Sequence, residues 1–314
     1  MADALILVSS WSDGVVAVDA AGVGHELPGR SVRWLTRDHE GRPLAIVDGT
    51  TVCRRDAAGT WSTIVEVEAP LACCVMSGPT LYLGTDAAEV LRVDERGGAE
   101  PLVGFQQVAG REHWYAGTAI IDGRVVGPPL GVRSMASTSD ARVLLANVHV
   151  GGIPRSTDGG RSWEPTLDIE LDAHEVCAHP TDPSCVIAAT AAGLCISRDA
   201  GRSWTVESRG LHARHCASVG FVGPDILVGC AGEQFAAQGA VYRRSVAGDE
   251  PLELVGRGLP AWTDGIVDTR GIDARGTVAA LVDRGGHLYV TRDDGRSWSH
   301  HRDGLPQPSG VLLV

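Results

Sequence analysis

The chain has 314 residues, 44% of them apolar, with 40 glycines and a formal net charge of −12. That acidic balance, without a clustered basic face, excludes an ordinary nucleic-acid binder. All 27 basic residues are arginine, so a Schiff-base lysine, a pyridoxal phosphate attachment and a phosphate-loop lysine are excluded too.

The opening MADALILVSSWSDG carries an apolar run too short for a signal-peptide core and no basic residue ahead of it, and no later segment reaches membrane-spanning length. It reads as the first strand of a cytoplasmic protein that touches no membrane. Eight cysteines without CxxC spacing fit the same reducing compartment. Strand and turn patterns follow in units at 31–66, 69–106, 131–166, 174–207, 214–257 and 265–302, with a longer loop at 107–130. The clearest unit reads HEVCAHP, SCVIAAT, GLCISRD and SWTVESR, four short strands in a row. Residues 4–28 lack one strand, and the C-terminal 308–314, containing SGVLLV, supplies one. The repeat step is about 40 residues, the period of a four-stranded propeller blade. The sequence thus predicts an all-β, seven-bladed β-propeller in one domain, its ring closed by the two chain ends sharing a blade.

One element recurs within the units: Ser156-Thr157-Asp158-Gly159-Gly160-Arg161-Ser162-Trp163, then Ser197 to Trp204, then Thr291 to Trp298. A degenerate copy runs from Asp56 to Trp61, and weaker echoes lie at Asp19, Asp94 and Ser245 to Asp249. These segments resemble the Asp-box, or bacterial neuraminidase repeat, S-x-D-x-G-x-[ST]-W, of sialidases, sortilin-type receptors and a photosystem assembly factor. The resemblance implies a turn between the third and outermost strands of a blade. There Asp158, Asp199 and Asp293 accept backbone amides, glycine takes the left-handed conformation and tryptophan packs between strands. Such boxes fasten structure and host unrelated functions.

In an antiparallel blade, the lead-in to the innermost strand and the second-to-third turn open on the face opposite those boxes. Arg33, Arg133, His174, His212, His215 and Asp268 fall at or near lead-ins, and His149 at a second-to-third turn, with Asn147 on its side of the strand. The loop at 107–130 brings His113, Trp114 and Tyr115 over the same mouth. Two chemistries fit a histidine-lined mouth. His149, His174, His215 and His212 are candidate ligands for a divalent Zn, Cu or Fe; alternatively His174 and His215, with Asp268 and Tyr115, are candidate acid–base and nucleophilic groups. Arg33, Arg133, Trp114, Asn147 and His113 are candidate substrate-binding residues for an anionic small molecule. The expectation is a small-molecule enzyme of the lyase, cyclase, hydrolase or oxidative type, with a protein-binding scaffold as the alternative. A sialidase would use Tyr115 with Glu112 as nucleophile and partner, but no Arg-Ile-Pro motif precedes the boxes and GIPR at 152–155 reverses it.

Overall fold

The computed structural model describes residues 4–117, 119–121, 124–126 and 130–314. Seven four-stranded antiparallel blades form a ring, with almost no helix. The six blades made from continuous chain have innermost strands Val32–Arg37, Leu71–Ser77, Val132–Ser137, Ala173–Ala178, His215–Val222 and Ile272–Arg275. We number them 2 to 7 in that order. In blade 1 the innermost strand is the C-terminal Pro308–Leu313, paired antiparallel with Ile6–Ser10. Each innermost strand packs on that of the next blade, and Pro308–Leu313 packs on both Val32–Arg37 and Ile272–Arg275, closing the ring.

Burial explains why these sequences take these positions. Second strands such as Leu144–Val148 and Val186–Thr190 are buried along their whole length, as unbroken apolar runs flanked by two strands require. Outermost strands such as Gly22–Glu26 and Ser299–Arg302 are largely exposed and polar. The loop after blade 3 begins with a short helix, Val103–Gln106, whose Phe105 is fully buried edge-on to Trp163 at 5.0 Å. A hairpin of Ala119–Ile121 with Arg124–Val126 follows. The rest of that predicted loop, residues 118, 122–123 and 127–129, lies outside the described residues.

The three close repeat segments fold into one turn. Asp158 Oδ1 accepts the Ser162 amide (3.0 Å) and the Ser156 hydroxyl (2.9 Å), while Oδ2 accepts the Ser162 hydroxyl (2.6 Å). Asp199 with Ser197 and Ser203, and Asp293 with Thr291 and Ser297, repeat the pattern. At Asp199 desolvation opposes ionisation, but the amide and hydroxyl of Ser203 outweigh it and hold the carboxyl at about 2. Replacing Asp199 by Ala is expected to destabilise the domain by roughly 1–2 kcal/mol at pH 7, since two amides and two hydroxyls lose their acceptor. Because the folded pKa lies below the unfolded one, this stabilisation is present above pH 4 and is lost as the pH falls toward 2. Melting curves should therefore show the gap between parent and variant narrowing over that window. A gap unchanged at pH 2.5 would mean the carboxylate is not what fastens the turn.

Candidate functional site

The mouth of the central channel is shaped by a backbone irregularity repeated from blade to blade. Innermost strands shift register against their second strands between Val32 and Trp34, Leu71 and Cys73, Val132 and Ser134, Ala173 and Glu175, and Cys216 and Ser218. The residues left unpaired are Arg33, Ala72, Arg133, His174 and Ala217, and Ser309 takes the like place in blade 1. A bulge frees one residue from the ladder and re-aims its side chain. Arg33, Arg133 and His174 are therefore equivalent, as their alignment in the sequence predicts. The true counterpart of His174 in blade 6 is Ala217, whereas His215 pairs with Ala231 two positions earlier.

His174 is buried, and its Nδ1–H donates to the Cys216 carbonyl at 2.6 Å, which makes Nε2 its working nitrogen. That Nε2 lies 3.5 Å from Asp172 Oδ2. Asp172 Oδ1 lies 3.6 Å from Nε2 of the buried His149. Both separations exceed hydrogen-bond length, and Asp172 Oδ1 is buried without a hydrogen-bond partner among the described residues. Gly117, in the loop after blade 3, donates its amide N–H to His149 Nδ1 at 3.2 Å, which fixes the His149 proton on Nε2, facing Asp172. A Cβ on Gly117 would stand 2.5 Å from the imidazole, so only glycine lets the loop come this close. His215 completes the group, its ring centroid 4.5 Å from that of His174 and its Nε2 3.2 Å from Gln234 Oε1.

Electrostatics separates these groups. Burial, with the Arg133 charge added to it, pushes His149 down to about 4, so it is neutral at pH 7. Burial also lowers His215, with His174 adding to the effect. For Asp172 burial works against ionisation, yet His174, His149 and Arg133 together hold its carboxyl below the usual range. Val150 (φ 37°) and Asp172 (φ 47°) sit in left-handed backbone that β-branched and most other residues avoid, directly beside His149 and His174.

The arginines differ in how far they are committed. Arg33 forks onto Asp86 at 2.9 and 3.2 Å. Arg284 donates to Asp268 at 3.0 Å, and Asp268 also accepts from Gln234 Nε2 (3.1 Å) and the Thr269 amide (2.8 Å). Arg133, half-buried in the mouth, makes no hydrogen bond or close ion pair among the described residues. It feels the Asp268 and Asp172 charges only at longer range, and burial lowers its pKa.

The remaining sequence-predicted residues take other places. His212 Nδ1 lies 2.9 Å from the Tyr242 hydroxyl, and its ring meets Trp262 edge-on at 4.8 Å. Trp114 is buried against Phe105 with Arg111 over its ring. His113 is exposed, 3.5 Å from Glu112, and Tyr115 is half-exposed with its amide donating to the Val150 carbonyl. Asn147 is buried and donates to Ser134 Oγ at 3.1 Å.

Sequence reasoning missed Asp172, Asp86, Gln234 and Arg284. The last three lie in second-to-third turns, where the rule that selected His149 would have found them. Asp172 is hidden in the acidic run DIELD.

Metal ligation fits this donor set poorly. A metal on His149 Nε2 would need a lone pair there, while Nδ1 already accepts an amide proton. Among the described residues no group of three or more His, Cys, Asp or Glu is arranged to hold an ion.

A seven-bladed propeller with a polar, histidine- and arginine-lined mouth is the class that fold and site define. Its likeness to solved structures is one of fold alone. A GH74 xyloglucanase from Xanthomonas campestris matches with a TM-score of 0.59 at 18% identity, over 86% of this chain and 45% of that one. The WD40 repeats of RRP9 match with a TM-score of 0.61 at 12% identity, over 96% and 86%. The chain thus spans less than half the length of the xyloglucanase. The sequence matches no protein-family model and no curated protein. Among the described residues no helix is long and apolar enough to cross a membrane.

Proposed function

We propose that the chain is a cytoplasmic small-molecule enzyme of the Asp-box propeller class, transferring a proton at the channel mouth to or from an anionic substrate. The observation that carries this reading is Asp172 standing 3.5 and 3.6 Å from two imidazole Nε2 atoms, near Arg133, which has no hydrogen-bond acceptor among the described residues. His174 Nε2 is the proton acceptor and donor, because its other nitrogen is pinned to a carbonyl. Asp172 stabilises the imidazolium that forms, and the Nε2–H of neutral His149 faces its other oxygen at 3.6 Å. Arg133 supplies the fork for the substrate's anionic group. Arg33 and Asp268, each already paired, shape the wall. Such a site suits elimination, isomerisation or hydrolysis assisted by one general base. Eight free cysteines support the reducing compartment.

The test is turnover across a panel of small carboxylates and phosphates. His174→Gln and Asp172→Asn are expected to lower kcat by about 10²–10⁴-fold with unchanged melting, and Arg133→Gln to act mainly on KM. Turnover that survives both of the first two substitutions overturns the assignment. A protein-binding scaffold is the second reading, favoured by Tyr115 and Trp262, both roughly half-exposed on this face. It predicts that replacing these two disrupts a partner complex while His174→Gln does not.

A further inference from the structure

A cavity of about 170 Å³ shares Arg33, Arg133 and Asp268 with the mouth, and its lining combines charge with aromatic surface. Four guanidiniums line it, from Arg33, Arg133, Arg270 and Arg284, against three carboxylates, from Asp86, Asp268 and Asp283. Each carboxylate is committed: Asp86 to Arg33, Asp268 to Arg284, and Asp283 to His287 and two backbone amides. Arg270 lies over the Trp34 ring at 5.0 Å and donates to the Leu35 carbonyl. Arg270 Nη1 also lies 3.6 Å from the buried Glu175 Oε1, which leaves Arg133 as the one lining guanidinium without a carboxylate at ion-pair distance among the described residues.

The same cavity presents a flat apolar wall. Trp11 is 46% exposed yet lines it, with Arg33 stacked against the indole at 5.9 Å. Buried Trp34 and the half-buried Ala72 and Pro308 continue that surface. Across the mouth Arg284 repeats the arrangement, paired to Asp268 and lying 5.8 Å from the half-exposed Phe235 ring. Both rings are thus held by arginines whose own charges are already matched. A cavity of about 150 Å³ admits a benzene ring, so 170 Å³ accommodates one ring and a small substituent.

We infer that the ligand of this cavity is a single-ring aryl or heteroaryl oxyanion, its carboxylate or phosphate on Arg133 and its ring against Trp11. This rests on the mouth being a small-molecule site, and it names the substrate class. The ring gains from stacking and desolvation on Trp11, the anion from charge-assisted hydrogen bonds in a partly dry site.

Titration calorimetry of the full chain with five probes tests it: benzoate, phenyl phosphate, acetate, inorganic phosphate and benzamide. At least one aryl anion is expected to bind ten-fold or more tightly than all three probes lacking either ring or charge. Whichever of benzoate and phenyl phosphate is tighter identifies the oxyanion. Arg133→Gln should weaken that aryl anion at least ten-fold and leave benzamide unchanged. Trp11→Ala, at a half-exposed position whose indole contacts Arg33, should weaken it about three- to ten-fold with melting little changed. Equal affinity for aryl and simple anions, binding of none of the probes, or an Arg133→Gln variant that melts normally and binds as the parent does, overturns the inference. Aryl-anion binding without turnover would sink the enzyme reading and keep this one. Turnover of an aliphatic anion with no aryl preference would do the reverse.

Discussion

A chain ending before Pro308 is expected not to form the ring. The segment Pro308–Leu313 is the innermost strand of blade 1, and Val311, Leu312 and Leu313 are at most 1% exposed. It pairs with Ile6–Ser10 from Ile6 opposite Leu313 onward. Ser309 donates to the Val32 carbonyl in blade 2, and the Leu313 amide donates to Asp273 in blade 7 at 2.7 Å. Removing it bares one edge of Ile6–Ser10 and the facing sides of two neighbouring blades, and forfeits three buried aliphatic side chains at about 1.5–3 kcal/mol each. That sum is comparable with a whole domain's margin of about 5–15 kcal/mol. Circular dichroism and size-exclusion chromatography should show an aggregated or unfolded product. The milder Leu312→Ala should fold with a loss of about 2–5 kcal/mol. A truncated monomer that melts cooperatively within a few degrees of the full chain would show that the ring does not depend on its closing strand.

The prominence of that closing strand was readable in the sequence, because a unit short of one strand and a terminal strand without partners have only each other. The blades were readable for a similar reason: turn chemistry at Asp158, Asp199 and Asp293 is local, and a local signal repeated at a fixed step fixes the frame. The site was readable in part. Its face followed from blade topology, and so did the neighbourhood of His149, His174 and Arg133. What the sequence hides is pairing. Nothing local tells Arg33, which finds Asp86, from Arg133, which finds no acceptor among the described residues, since such a partner comes from a turn in another blade. Bulges are equally silent, because a single unpaired residue leaves no periodic trace, and His215 was therefore placed level with His174 when Ala217 holds that position. Trp114 reads in the sequence as a binding residue on the loop over the mouth; its place beside Phe105 depends on a four-residue helix too short to show a period.

The channel below the mouth holds a second charge arrangement, and replacing Arg270 by Met should reveal it through pH. Glu175, fully buried on the innermost strand of blade 5, accepts the amides of Val219 (3.2 Å) and Arg270 (3.3 Å), and its Oε1 lies 3.6 Å from Arg270 Nη1. Arg270 itself reaches across to the Leu35 carbonyl, so the pair ties blades 5, 7 and 2 through the axis. Burial raises Glu175 to about 7 despite the Arg270 charge. Its charged form is therefore disfavoured by folding: the associated stability is fully present below the unfolded carboxyl pKa and declines as the pH rises through about 7. Without Arg270 the carboxylate loses its only close cation among the described residues, and stability above pH 8 should fall by about 3–5 kcal/mol, the usual consequence of orphaning a buried charge. At pH 5.5 the carboxyl is protonated in both proteins, so most of that deficit should vanish. The double variant Glu175→Gln/Arg270→Met keeps an acceptor for the two amides and removes both charges; it should recover most of the loss at pH 8.5. Melting temperatures of the three proteins at pH 5.5 and 8.5 decide the matter. A deficit in Arg270→Met that is equal at both pH values, or that the second substitution deepens, would mean that Arg270 acts through its contact with Trp34 and not through Glu175.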